Sequence, residues 1–167
     1  MSSALWRPAY VAIGSNLDHP QRQVHAALEE IGRLQSTQLL LVSRLYKTHP
    51  MGPQDQPDFV NAMAGVLTQL DARALLQALL DIERRMGRDR GERWGPRLID
   101  LDLIWMPGPP IDEPGLQVPH PGVSTRNFVL YPLNDIAPSL EIPAHGRVSV
   151  LKARAGGAGI DLIKSSE

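Results

Sequence analysis

The sequence predicts an α+β sandwich, an antiparallel sheet packed against flanking helices, on three observations. Short apolar segments with strand character fall at residues 10–13, 39–46, 59–67 and 98–105. Two longer segments between them carry apolar residues at the helical period. The resulting order is strand, helix, strand, strand, helix, strand, the split βαβ pattern of a ferredoxin-like fold with its helices on one face of the sheet.

The first strand, residues 10–13, ends at the turn signal Gly14-Ser15-Asn16. Pro20 then opens a helix, because a proline's fixed φ and missing N–H suit a first helical turn, and Val24, Ala27, Leu28, Ile31 and Leu34 follow on one face. Residues 39–46 and 59–67 are rich in apolar and aromatic side chains and short of helix caps, so both are predicted strands. Three prolines and a glycine enforce a loop between them. Asp71 is a good N-cap for a helix that places Leu75, Leu76, Leu79, Ile82 and Met86 on one face and stops near Gly87.

Residues 98–105 form the next strand, whereas the proline-rich stretch 107–121 has too little apolar periodicity for a regular element. The last segment alternates short patterns, including residues 128–131, and then runs into glycines at 155–159 that predict a frayed tail. With no repeat and no shift in composition, one domain is expected over residues 1–167, its core spanning about 8–153 and its frayed tail 154–167.

At 167 residues, 43% hydrophobic and 21% charged, the chain can bury a core of its own. A formal net charge of -1 argues against a nucleic-acid binder, which needs a broad basic surface. The absence of cysteine removes disulfides, thiolate metal sites and a cysteine nucleophile, and fits a reducing compartment. No apolar run approaches the roughly 18 residues of a membrane span, and the first residues lack a signal peptide's apolar core. The expectation is a cytoplasmic protein without nucleic-acid or membrane partners.

The most informative stretch sets Asp100 and Asp102 two residues apart in a strand, behind Arg88, Arg90, Arg93 and Arg97. Strand side chains alternate, so the carboxylates project together, about 7 Å apart at the backbone, while Ile99, Leu101 and Leu103 face the core. Paired carboxylates repel unless a cation lies between them, and magnesium is typically held by one or two carboxylates plus substrate phosphates. Arginine binds phosphate bidentately, so the surrounding guanidiniums favour a bound polyphosphate over the alternative of a plain solvated edge strand.

No P-loop and no Gly-x-Gly-x-x-Gly fingerprint is present, so side chains and metal must neutralise any triphosphate. His120 sits between Pro119 and Pro121, which restrict the backbone that aims it, and Arg126 follows closely. Phe59, Trp94 and Phe128 are scarce aromatics beside polar motifs, suited to a planar heterocycle, and Asn61 shares the strand face of Phe59. On these residues alone, a nucleotidyl transferase, a metal-dependent phosphohydrolase and a non-catalytic ligand-sensing module remain open.

Together, Ala12 to Asn16, Tyr46 to Ala62, Ile82-Glu83 with Gly87-Arg88, Arg93 to Asp102 and Val118 to Pro121 resemble the 6-hydroxymethyl-7,8-dihydropterin pyrophosphokinase family over roughly residues 10–138. The resemblance implies a ferredoxin-like α/β sandwich that transfers the β,γ-diphosphoryl group of ATP to a pterin hydroxymethyl group, releasing AMP, in folate biosynthesis. It implies two magnesium ions on Asp100 and Asp102, with Arg88 and Arg97 stabilising the transferred group. Glu83, Trp94, Leu103, His120 and Arg126 would serve ATP; Thr48, Pro50, Met51, Phe59, Asn61, Trp94 and Phe128 would serve the pterin. A monomer with two small-molecule substrates is expected. Leu80 stands where some members carry glutamine, and the segment between Arg88 and Trp94 is slightly short.

Overall fold

The computed structural model describes residues 5–50, 55–87 and 98–164. The first half runs β1 (Arg7–Ser15), α1 (Pro20–Gly32), β2 (Thr37–Val42), β3 (Tyr46–Thr48), β4 (Phe59–Thr68), α2 (Ala72–Arg85) and β5 (Asp100–Trp105). The second half adds β6 (Ile111–Glu113), β7 (Leu116–Val118), a 3-10 turn at Pro121–Ser124, α3 (Asn127–Ile136), β8 (Glu141–Ile142), β9 (Gly146–Arg147), α4 (Val148–Ala155) and β10 (Ile160–Leu162). The main sheet is antiparallel, in the order β10-β3-β4-β1-β5, and β2 lies beside β4 beyond β3.

The helices begin as their sequences dictate. Pro20 occupies the first turn of α1. Asp71 caps α2, its carboxylate accepting the Ala74 N–H at 2.8 Å, and Gly87 follows the helix at φ 83°, a conformation costly for any residue with a Cβ.

Strand alternation divides the interior into two apolar clusters. Ala9, Val11 and Ile13 of β1, Val60 to Val66 at alternate positions of β4, and Leu101 and Leu103 of β5 pack against α1 and α2. Met63 and Ile104 point the other way, onto Val129, Leu130 and Leu133 of α3 and Val148 and Leu151 of α4. Helices therefore cover both faces of the sheet, not the single face expected from the element order.

Four other expectations change. The segment predicted as one strand over 39–46 is two, because Ser43 interrupts the ladder: its hydroxyl accepts the Met63 N–H at 2.8 Å in place of a backbone carbonyl. The stretch 107–121 contains the β6–β7 hairpin, turned at Pro114-Gly115 with Gly115 at φ 76°. Residues 128–131 lie in α3. The tail is not frayed at 160–162, where β10 pairs with β3 in the register Ile160↔Thr48.

Candidate functional site

The site begins with register. Asp100 of β5 and Asn61 of β4 both lie opposite Gly14 of β1, so the three form one row across the sheet. Adjacent strands are about 4.8 Å apart, which puts the row's two ends about 10 Å from one another. Asp100 and Asp102 are half-buried and share the face of Ile104, whereas Leu101 and Leu103 are buried in the cluster beneath. Gly14 keeps the row open: a Cβ there would stand 3.1 Å from Asn61 Oδ1. Asn61 is buried in a central strand, and its Nδ2 donates to Thr48 Oγ1 at 2.6 Å. Phe59 pairs with Thr48 and lies on the same face as Asn61.

His120, Arg126 and Asp100 meet at the acidic end. The His120 N–H donates to the Ile104 carbonyl at 2.9 Å, tying the segment after β7 to β5. The Gly122 N–H donates to His120 Nδ1 at 3.0 Å, which leaves the neutral ring's proton on Nε2. Burial, then the Arg126 charge, lowers the His120 imidazole's pKa, with Asp100 pulling the other way. Arg126 lies against Gly122, where a Cβ would come within 2.6 Å of its Cδ, and its guanidinium sits 5.8 Å from the Phe128 ring centre.

Beside this cluster opens a cavity of about 400 Å³ between Thr48 and His49 on one side and Thr125 to Phe128 on the other. Ala158 and Gly159 complete its lining. Thr48, Arg126 and Phe128 were legible as candidates; Asn127 and the 158–159 segment were missed. Their available signal was the alternation of Ile160 and Leu162 just beyond the glycines, which marks a strand.

Two candidates are placed where their side chains meet protein. Glu83 is 1% exposed and accepts the Leu101 N–H at 2.8 Å, bracing β5 from α2. Leu103 has its side chain in the apolar core, so only its main chain can reach a nucleotide. Pro50 is buried two residues beyond the end of β3. Met51, Arg88, Arg90, Arg93, Trp94 and Arg97 lie outside the described residues.

Behind the cavity, β3 is fastened to α3. Asp135 accepts from Arg44 Nη2 at 2.8 Å and from Tyr46 Oη at 3.0 Å. Burial and the bond to Asp135 push the Tyr46 hydroxyl up to about 12. Burial opposes ionisation of Asp135, but the bonds from Arg44 and Tyr46 outweigh it and hold the carboxyl below its ordinary range.

Among the described residues, no three His, Cys, Asp or Glu side chains are grouped to hold a metal ion. Two half-buried carboxylates, all oxygen donors, suit a hard ion that completes its shell with water and phosphate, not a closed tetrahedral site of nitrogen and sulfur ligands.

An antiparallel sandwich that gathers paired carboxylates, a half-buried histidine and an arginine at one end of a sheet face suits the phosphoryl-transfer class of enzyme. Residues 10–138 match the family described as 7,8-dihydro-6-hydroxymethylpterin-pyrophosphokinase, and the chain belongs to that family. It is an enzyme, a transferase of the pyrophosphokinase kind, as the expectation had it. The 2-amino-4-hydroxy-6-hydroxymethyldihydropteridine pyrophosphokinase of Pseudomonas aeruginosa is 47% identical over 152 residues, covering 91% of this chain and 94% of that one. Its namesake from Haemophilus influenzae is 46% identical over 135 residues, covering 81% and 84%. A Plasmodium falciparum HPPK-DHPS structure superposes at TM-score 0.74 over 96% of this chain and 47% of its own, so the present chain spans about half its length. At 12% identity that likeness concerns the fold, which agrees with the predicted α+β sandwich. No helix among the described residues is long and apolar enough to cross a membrane.

Proposed function

We propose that this chain, as a single cytoplasmic domain acting as a monomer, transfers the β,γ-diphosphoryl group of ATP to the hydroxymethyl group of 6-hydroxymethyl-7,8-dihydropterin. The products are AMP and the pterin diphosphate, a step of folate biosynthesis. One observation carries the reading: Asp100 and Asn61 stand in register on either side of Gly14, a carboxylate end and an amide end of one open row.

Asp100 and Asp102 would hold two magnesium ions, which when bound supply charge neutralisation across the triphosphate. His120 Nε2–H and the Arg126 guanidinium then donate to nucleotide oxygens, and the neutral imidazole does so without needing to give up a proton. Arg88 and Arg97 stabilise the transferred group, Trp94 borders both substrates, and the Leu103 main chain contacts the nucleotide. Glu83 contributes by holding β5, hence both aspartates, in place.

At the other end Phe59 and Phe128 receive the pterin ring between them, while Asn61, Thr48, Pro50 and Met51 meet its edge. Asn61 Nδ2 is already committed to Thr48, which leaves its Oδ1 as an acceptor for ring N–H groups. The pterin hydroxyl then points along the row toward the metal-held phosphates, and proximity supplies much of the rate.

Incubation with ATP, magnesium and the reduced hydroxymethylpterin should yield AMP and a diphosphorylated pterin in equal amounts. ADP as the nucleotide product, or ATP breakdown independent of the pterin, would overturn the proposal in favour of a kinase or hydrolase.

A further inference from the structure

The segment after α4 has no part in the reading above, yet it is bonded to both walls of the cavity. Asn127 Nδ2 donates to the Ala158 carbonyl at 2.8 Å and to the Gly156 carbonyl at 3.1 Å. On the opposite side the His49 N–H donates to the Gly159 carbonyl at 3.2 Å, and Ile160 pairs with Thr48. One amide side chain thus fastens a glycine-rich strap to the first turn of α3, and the strap's next residues join the end of β3.

The neighbours of these anchors explain why the tie matters. Asn127 lies between Arg126 and Phe128, and His49 follows Thr48, so the strap spans the two walls that line the cavity. It is also seated from behind: a Cβ at Gly157 would stand 2.9 Å from Tyr131 Oη, so the backbone runs against that ring's hydroxyl. Both carbonyls that Asn127 satisfies are acceptors, so only a donor side chain of this length can make the pair of bonds.

We infer that Asn127 is a positioning residue, which through the strap of residues 156–159 sets the separation of Phe128 from Thr48 and thereby the affinity for the pterin. The inference rests on the reading above of Thr48 and Phe128, which face one another across the cavity, as pterin contacts. Arg126 is held separately, against Gly122, and the aspartates lie on β5, so the effect is selective for one substrate.

Two variants and two readouts test it. Asn127→Ala should raise the KM for the pterin about tenfold, as expected from losing a pair of ordering hydrogen bonds, with kcat and the KM for ATP within about twofold. Asn127→Asp should be worse than Asn127→Ala, because it sets a carboxylate against two carbonyl oxygens. Gly157→Ala, which lifts the strap from Tyr131 without touching Asn127, should give the same selective rise. Amide exchange at His49 should quicken in all three, a readout independent of any substrate. Unchanged pterin KM in Asn127→Ala, or equal losses for pterin and ATP, would overturn the inference even if the wild type converts the pterin. A wild type that exchanges normally but ignores the pterin would instead overturn the functional reading.

Discussion

The two faces of the sheet divide the labour of this protein. The face under α1 and α2 is closed by Leu75, Leu79, Ile82, Val24 and Ile31 over alternating strand residues, all buried. The face under α3 and α4 begins as a comparable apolar cluster around Met63 and Leu133, but its far end turns polar at Asn61, Asp100, Asp102 and His120. One side purchases stability by burying area, and the other leaves two carboxylates half-exposed. The lesson is that a mutation's effect should depend more on its face than on its distance from the site.

The strongest test is Asp100→Ala. Removing half of the carboxylate pair should cut turnover at least about a thousandfold, while the melting temperature stays within a few degrees. Steady-state assay beside thermal denaturation decides it, and near-normal turnover would erase the distinction between faces. Leu79→Ala probes the opposite side: the side chain is fully buried, so its loss should cost about 2–5 kcal/mol of stability in urea titration, with kcat of the folded enzyme unchanged. A comparable drop in kcat would show the faces to be coupled.

Smaller effects sharpen the comparison within the site face. Gly122→Ala places a Cβ 2.6 Å from Arg126 Cδ and so must displace that side chain; ATP affinity should fall by about 1–2 kcal/mol in calorimetric titration, more than pterin affinity does. The mildest effect concerns pH. His120 has a pKa lowered from 6.5 by burial, so the unfolded chain takes up its proton first. Its contribution to stability is therefore full above pH 6.5 and is lost as pH falls below that value. His120→Asn should flatten the acid limb of a stability profile there, whereas Leu79→Ala should shift the whole profile without changing its slope.

The same division decided what the sequence revealed. In α2, Asp71 and the apolar spacing from Leu75 to Ile82 named a helix, its cap and its buried face, because one periodicity served one purpose. The carboxylate pair was equally legible, since strand alternation alone places Asp100 and Asp102 together. On the site face local signals competed. Residues 128–131 are apolar and aromatic, and Pro132 lies inside the helix they enter, so nothing in the window favours a helix over a strand. Ser43 broke a strand through a hydroxyl bonded across the sheet to Met63, which no local pattern can announce. The β6–β7 hairpin was available in Pro114-Gly115 between alternating apolar residues and should have been read as one. The union of Thr48, Phe128 and Gly159 was beyond reach, because it depends on three segments meeting in space.

The pairing of β10 with β3 also bears on the order in which the molecule can be made. Every buried member of the α1–α2 face lies at or before Val118, whereas the cavity acquires its last wall only at Gly159. His49 and Gly159, joined by a backbone hydrogen bond, are on the order of a hundred residues apart, so their contact is a long-range one. Read from N-terminus to C-terminus, synthesis delivers the support before the pocket, so a nascent chain owns a finished foundation while still lacking the room built on it.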